Sequence, residues 1–314
     1  MKILVTTYPF GDPNSKPKEL LKDFDIEYNT LGREYEKEET LELVKKHNPE
    51  IIIAGTEKYD AEVLDNCTNL KLISRVGIGV DAVDLEECKK RGIIVTNTPE
   101  APSNAVAEMT VCQMINMLRN IQNSDKVIRD GKWDRYIGKE LRSCNVGIFG
   151  CGRIGKLMVG KLQGLKPRRI FVNDIIQERA KDLPRSEYET KMQILTECDI
   201  ITIHIPLNKN NKNFITKDEL ELMKDDAILI NTSRGGIINE EDLYEWLVKN
   251  PKAKAAVDTF QKEPYKGKLI ELDNAYLTPH LGSCSLKSRF DMEVGSVEEV
   301  LNYMNKKEFN SRVV

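Results

Sequence analysis

The stretch Asn145-Val146-Gly147-Ile148-Phe149-Gly150-Cys151-Gly152-Arg153-Ile154-Gly155 decides how the rest of the chain is read. An apolar run of strand character enters a G-x-G-x-x-G directly, and each glycine has its own physical job. Gly150 permits a tight turn, Gly152 lets the backbone approach a pyrophosphate, and Gly155 lets helix and strand pack closely. The helix opening at Arg153 and Ile154 adds amide donors and partial positive charge. A second strand, Arg169 to Asn173, ends at Asp174, 19 residues after Gly155. A carboxylate there can accept hydrogen bonds from adenosine ribose hydroxyls and repels a 2′-phosphate, so loop and acid together read as a site for NAD rather than NADP. Arg179, a little further on, is a cation that could oppose that preference. Cys151 occupies a variable position of the loop and reads as a packing residue rather than a redox switch.

Outward from the loop, the same alternation runs in both directions. Upstream, Lys2 to Thr6, Ile51 to Gly55, Leu70 to Val76 and Gly92 to Thr96 read as strands. Amphipathic segments separate them at Lys16 to Phe24, Lys37 to His47, Asp60 to Asn66 and Asp84 to Arg91. Downstream, strands are expected at Asp199 to His204, Ala227 to Asn231, Ala253 to Asp258 and Ala275 to Thr278. A long helix is expected from Ser103 to Ile121 and a last one from Ser285 to Asn305. Strands alternating with helices imply parallel pairing, and 314 residues suit two domains, so the expected fold is α/β with two doubly wound parallel sheets.

Composition excludes several classes of function. Lys and Arg number 47 against 50 Asp and Glu, a net charge of -3 that gives no electrostatic footprint for nucleic acid or an anionic membrane. The longest apolar runs, such as Ile51 to Ala54, fall far short of the roughly 18 residues a spanning helix needs, and Met1 leads straight into a strand pattern. A soluble, cytoplasmic protein without a targeting segment is expected. Seven scattered cysteines with no C-x-x-C pair argue against a disulfide framework and against a cysteine-based zinc site. The histidines are three, His47, His204 and His280, so histidine chemistry has a short candidate list.

Three later segments carry that chemistry: Asn231-Thr232-Ser233-Arg234-Gly235-Gly236, Asp258-Thr259-Phe260-Gln261-Lys262-Glu263-Pro264 and Thr278-Pro279-His280-Leu281-Gly282-Ser283. Arg234 stands 29 residues before Glu263, and His280 17 after it. In order and spacing they resemble the arginine, glutamate and histidine motifs of the D-isomer-specific 2-hydroxyacid dehydrogenases, and the chain resembles a phosphoglycerate dehydrogenase-like member over nearly its whole length. Gly77-Ile78-Gly79-Val80-Asp81 is similar to the family's substrate loop, and Ser103 to Glu108 to the start of its interdomain helix. The resemblance implies a flavodoxin-like substrate domain from residues 1–100 and 285–314, a Rossmann NAD-binding domain from 101–284, and a homodimer built around the helix near Ser103. It also implies hydride transfer between NAD(H) and a D-2-hydroxy acid/2-oxo acid pair in a cleft between the domains.

The residue types fit such chemistry in their own right. Reducing a 2-oxo acid needs a hydride, a proton for the carbonyl oxygen and a cation for the carboxylate and ketone. Arg234 suits the last need, because its planar fork matches a carboxylate and stays charged. His280 is the expected acid in reduction and base in oxidation, with Glu263 fixing its tautomer and raising its pKa. Gly77, Ile78 and Gly79 can offer backbone amides to the substrate carboxylate. By the resemblance, His204, Thr232, Asp258 and Gly282 are expected beside the cofactor. His47, after Lys45 and Lys46 at a helix end, reads as a solvated cap.

Some positions depart from the family pattern. Asn208 and Asn211 stand where threonines are usual, which weakens the expected cofactor hydrogen bonding there. Ala54-Gly55-Thr56-Glu57-Lys58 lacks the arginine that phosphoglycerate-type members present to a substrate phosphate; Lys58 could substitute as a point charge, but the fork is missing, so 3-phosphoglycerate is not assumed. Cys284 could line the pocket or simply pack. Trp133, Arg135 and Tyr136 could serve a subunit contact or close the cleft. Relatives that oxidise formate pair their histidine with glutamine, so Glu263 counts against that variant. The competing reading is an NAD(H)-sensing, corepressor-like binding protein that keeps the same triad.

Overall fold

In the computed structural model, which describes residues 1–12, 14–181 and 183–314, strands and helices alternate along the chain. The strands are β1 (Lys2–Val5), β2 (Asp25–Tyr28), β3 (Ile51–Ala54), β4 (Leu72–Arg75), β5 (Ile94–Thr96), β6 (Asn145–Phe149), β7 (Arg169–Asn173), β8 (Glu187–Tyr188), β9 (Ile200–Ile203), β10 (Ile228–Asn231), β11 (Lys254–Val257) and β12 (Ala275–Leu277). The helices are α1 (Lys16–Leu20), α2 (Lys37–His47), α3 (Ala61–Asp65), α4 (Leu85–Arg91), α5 (Ser103–Arg119), α6 (Ile121–Arg129), α7 (Arg153–Leu165), α8 (Glu178–Lys181), α9 (Lys191–Glu197), α10 (Lys217–Leu222), α11 (Glu240–Lys249) and α12 (Leu286–Met304).

The chain divides into two units, Met1–Pro102 with Cys284–Val314, and Ser103–Ser283. The first holds a parallel five-stranded sheet in the order β2-β1-β3-β4-β5, the flavodoxin-like arrangement. Its β3 and β4 are buried at every residue, as a parallel sheet covered on both faces requires. Local sequence sets the helix ends: Asp60 accepts from the Val63 amide at the start of α3, Asp84 from the Glu87 amide at the start of α4, and Gly92 closes α4 in the left-handed conformation.

The second unit holds a parallel seven-stranded sheet in the order β12-β11-β10-β9-β6-β7-β8. The order reverses at β6, which creates the topological switch point of a Rossmann sheet. Apolar side chains fill both faces, Phe149, Ile201, Leu229 and Trp246 on one and Val146, Ile148, Met158 and Ile230 on the other.

Three elements differ from the sequence reading. The edge strands β2 and β8 are short and carry charged residues, so neither shows a strong apolar run. The helix starting at Ser103 stops at Arg119 because Asn120 turns left-handed (φ 53), and a separate amphipathic helix, α6, follows.

Candidate active site

Register lays out the second unit's site. Phe149 pairs with Asn173 and Ile203, Asn231 with Ile203 and Val257, and Val257 with Leu277. Six neighbouring strands therefore end flush, and the next residues, Asp174, Gly150, His204, Thr232, Asp258 and Thr278, form a row along the carboxyl edge of the sheet. At the usual strand spacing the row is about 24 Å long.

The glycine loop sits at the switch point. Gly150 has a φ of 93, and a Cβ there would stand 2.4 Å from the His204 carbonyl oxygen; one on Gly155 would stand 1.9 Å from the Gly150 carbonyl oxygen. Both positions exclude any side chain. Around Gly152 there is open space instead, and no side chain caps α7, which starts at Arg153. The N-terminus of α7 thus has open space beside Gly152 and no side-chain cap, as a pyrophosphate cradle requires. Asp174 is buried, with one carboxylate oxygen accepting from the Cys151 amide (2.7 Å) and the other from Ile176 (2.8 Å). A carboxylate has about four lone-pair sites, so it ties the loop to β7 and keeps capacity for two hydroxyls. Cys151 is fully buried and burial pushes its thiol up to about 12, as befits a packing residue.

His204 belongs to the scaffold of this loop. Its amide donates to the Phe149 carbonyl (2.7 Å), and its Nε2 lies 3.0 Å from the Thr202 hydroxyl. Burial lowers its pKa to about 3, so the ring stays neutral and cannot serve as the acid. His47 is likewise held down, first by burial and then by Lys2, and both its ring nitrogens are buried, so the solvated cap expected from sequence is not what forms.

Arg234, Glu263 and His280 come together within the second unit. Asn231, the last residue of β10, accepts from both the amide and the hydroxyl of Ser233, and its side-chain amide donates to the Arg234 carbonyl (2.9 Å). That Asx turn re-aims the chain at the strand end. A Cβ on Gly235 would stand 1.9 Å from the Phe260 carbonyl carbon, so only glycine lets the arginine turn lie against the segment bearing Glu263. One Glu263 oxygen accepts from the Phe260 amide (3.0 Å), and the other lies 2.9 Å from His280 Nδ1.

The turn that carries His280 hangs on Asp258. This fully buried carboxylate accepts from the Thr278 hydroxyl (2.5 Å) and the amides of Leu281 (2.8 Å) and Gly282 (2.8 Å), while its carbonyl accepts from the His280 amide (2.9 Å). His280 itself is left-handed (φ 53), a conformation held by these four bonds. Three donors on its carboxylate make Asp258 first a positioning residue. Thr232 is also buried, with its hydroxyl 2.9 Å from that of Thr110 on α5. A Cβ on Gly282 would come within 3.1 Å of the Asp258 carboxylate.

Electrostatics within the trio agree from both ends. Burial works against charge on His280, but the hydrogen bond and charge of Glu263 outweigh it and raise its pKa above the ordinary histidine value. Burial works against charge on Glu263 too, and His280 outweighs it, holding that carboxyl below its ordinary value. The contact favours imidazolium on His280 and carboxylate on Glu263, and it orients the ring through Nδ1.

The Gly77-Ile78-Gly79 turn lies in the first unit, just past β4. Gly77 has a φ of 134, and its amide donates to the Thr98 hydroxyl (2.8 Å). Nearby Ala54 is buried, and the carboxyl of Glu57 is buried against the Thr6 hydroxyl and the Gly55 amide.

Sequence reasoning assigns no role to Asn231, Gly235 or Thr278. An asparagine at a strand end before Thr-Ser is a recognisable turn signal, but the other two show their purpose only once the 258–263 and 278–282 segments are packed together.

A family model described as "D-isomer specific 2-hydroxyacid dehydrogenase, NAD binding domain" matches residues 111–282. A glyoxylate reductase from Pyrococcus furiosus is 32% identical over 280 residues, 86% of this chain and 83% of its own. A hydroxypyruvate reductase from Thermotoga maritima is 32% identical over 296 residues, 92% of this chain and 95% of its own. Against the D-3-phosphoglycerate dehydrogenases that it matches, the chain spans about half their length, 51% and 48% in two of them. Among solved structures, the TT0316 protein from Thermus thermophilus superposes with a TM-score of 0.89 at 29% identity, covering 100% of both chains.

Proposed function

This chain belongs to the D-isomer-specific 2-hydroxyacid dehydrogenase family and is an NAD-dependent oxidoreductase, and we propose that it reduces a small, unphosphorylated 2-oxo acid to the D-2-hydroxy acid. The observation that carries this reading is the 2.9 Å contact between His280 and Glu263 with opposite pKa shifts in the two partners. Bound NADH supplies the hydride. Gly150, Gly152, Arg153, Ile154 and Gly155 cradle its pyrophosphate, and Asp174 takes the ribose hydroxyls. His204, Thr232 and Asp258 complete the cofactor side of the row, with Gly282 on the turn that Asp258 holds.

Arg234 holds the carboxylate and polarises the ketone, which raises the demand for a proton at the carbonyl oxygen. His280 delivers that proton from Nε2, and Glu263 stabilises the charged ring beforehand. In the oxidative direction the neutral ring accepts the proton back. The first unit is the substrate domain, and its Ile78 and Gly79 amides suit a carboxylate, whereas the Gly77 amide, expected to join them, is already given to the Thr98 hydroxyl. A buried alanine and a buried acid, Ala54 and Glu57, close its β3 end, a poor environment for a phosphate dianion.

The chain is further read as a homodimer. α6 has no buried residue of its own, and Ile121, Ile128, Trp133, Tyr136 and Ile137 are exposed on it and the segment after it. An apolar stretch of that size suits a second copy of the chain. Seven free thiols suit a reducing cytoplasm, and no described helix is long and apolar enough to cross a membrane.

The test is a panel of glyoxylate, hydroxypyruvate, pyruvate and phosphohydroxypyruvate with NADH, followed by nicotinamide absorbance. Turnover of at least one unphosphorylated acid, its loss in His280→Gln, and little turnover of the phosphorylated one are expected. Preference for phosphohydroxypyruvate overturns the substrate assignment.

A further inference from the structure

At the end of α7 opposite the glycine loop, the second unit carries a small basic pocket that the chemistry above does not use. α7 ends at Leu165, Lys166 caps it in the left-handed conformation (φ 51), and Arg168 and Arg169 follow Pro167 into β7. Arg185, also left-handed (φ 56), comes from the turn before β8. These four cations and one acid, Glu187, line a pocket of about 220 Å³.

Arg169 already has its counter-charges. It bonds Glu187 (Nε to Oε1, 3.1 Å), lies 3.6 Å from Glu197, and stacks 4.3 Å over the Phe171 ring. Lys166, Arg168 and Arg185 are exposed, and their side chains make no hydrogen bond or ion pair with any described residue. Cations at a helix C-terminus complement its dipole, which accounts for Lys166 and Arg168. It does not account for Arg185, which arrives from a different element and brings a further like charge into the same concavity. Nor does overall composition, since the chain as a whole carries a net charge of -3.

Two guanidinium forks and an ammonium around so small a space match a phosphate monoester: the forks can each take two oxygens and the lysine acts as a point charge. The geometry points to an anion site that takes a small phosphorylated metabolite. It is separate from the cofactor loop, because the 13 residues of α7 put about 20 Å between the helix ends. A ligand that binds only the folded chain raises its stability with concentration.

The experiment is thermal unfolding of the NADH-saturated protein, so that the pyrophosphate cradle is filled, titrated with glycerol 3-phosphate against sodium chloride of equal ionic strength. The unfolding midpoint should rise with glycerol 3-phosphate beyond the salt control. In Arg168→Ser/Arg185→Ser the apparent dissociation constant should weaken by at least about tenfold while kcat/KM for NADH stays at the wild-type value. Lys166→Gln, which leaves both guanidinium groups in place, should lose less. A midpoint that follows ionic strength alone, or an equal rise in wild type and double variant, overturns the site.

Discussion

Glu263 is the residue on which the pH behaviour of the site turns. In the proposed mechanism reduction draws a proton from His280, so its rate should fall as pH rises through the raised histidine pKa. Glu263→Gln keeps a hydrogen-bond acceptor for Nδ1 but removes the charge, while the burial that opposes imidazolium remains. The descending limb of kcat/KM for 2-oxo acid reduction should therefore move to lower pH. An unchanged profile would show that the carboxylate is not what holds the proton. The same pair makes a stability window. Its contribution fades as pH falls through the lowered Glu263 value and again as pH rises through the raised His280 value, so it is greatest between the two ordinary values. Arg234, Glu263 and His280 are legible from sequence because each sits just past a strand end in a motif of characteristic order. The positioning work of Asp258 is not, because a fully buried carboxylate reveals its three donors only when two distant segments are folded against each other.

Among the elements, the turn after β10 is fixed by backbone meeting backbone. Gly235 abuts the Phe260 carbonyl, a contact with no flexible side-chain end to yield. Gly235→Ala should force the arginine turn away from the glutamate segment. A loss of about 1–3 kcal/mol in urea unfolding, with a fall in kcat, is the expected outcome. Native stability with native kcat would mean that the two segments accommodate each other more freely than their packing indicates. The alternation of strands and helices is readable throughout, since runs such as Ile51-Ile52-Ile53 and Ile228-Leu229-Ile230 have few other destinations than a sheet covered on both faces. β2 and β8 escape a sequence reading because edge strands are short and tolerate charge, so pairing partners rather than their own composition define them. α6 escapes it too, because Asn120 interrupts an otherwise continuous helical pattern without glycine or proline.

For the whole molecule, the exposed apolar residues on and after α6 bear on assembly. Ile137, almost completely exposed, is the most sensitive probe. Light scattering on a sizing column should give the mass of two chains for the wild type and a shift toward one chain for Ile137→Asp. A wild-type protein that runs as a single chain at micromolar concentration would overturn the homodimer. Composition says only that the charges nearly balance, with a net charge of -3; which apolar residues remain uncovered is a property of the folded surface.

The flush row of strand ends also determines where this molecule is free to change. Each of its six residues is fixed by sheet register rather than by the length of the segment that follows, so connections leaving the row can gain or lose residues without displacing the others. The row itself is thereby insulated from the drift of surface loops farther out, whereas the first few residues beyond it, which carry Arg234, Glu263 and His280, are tied by their contacts with one another and leave variation to the more distant loops.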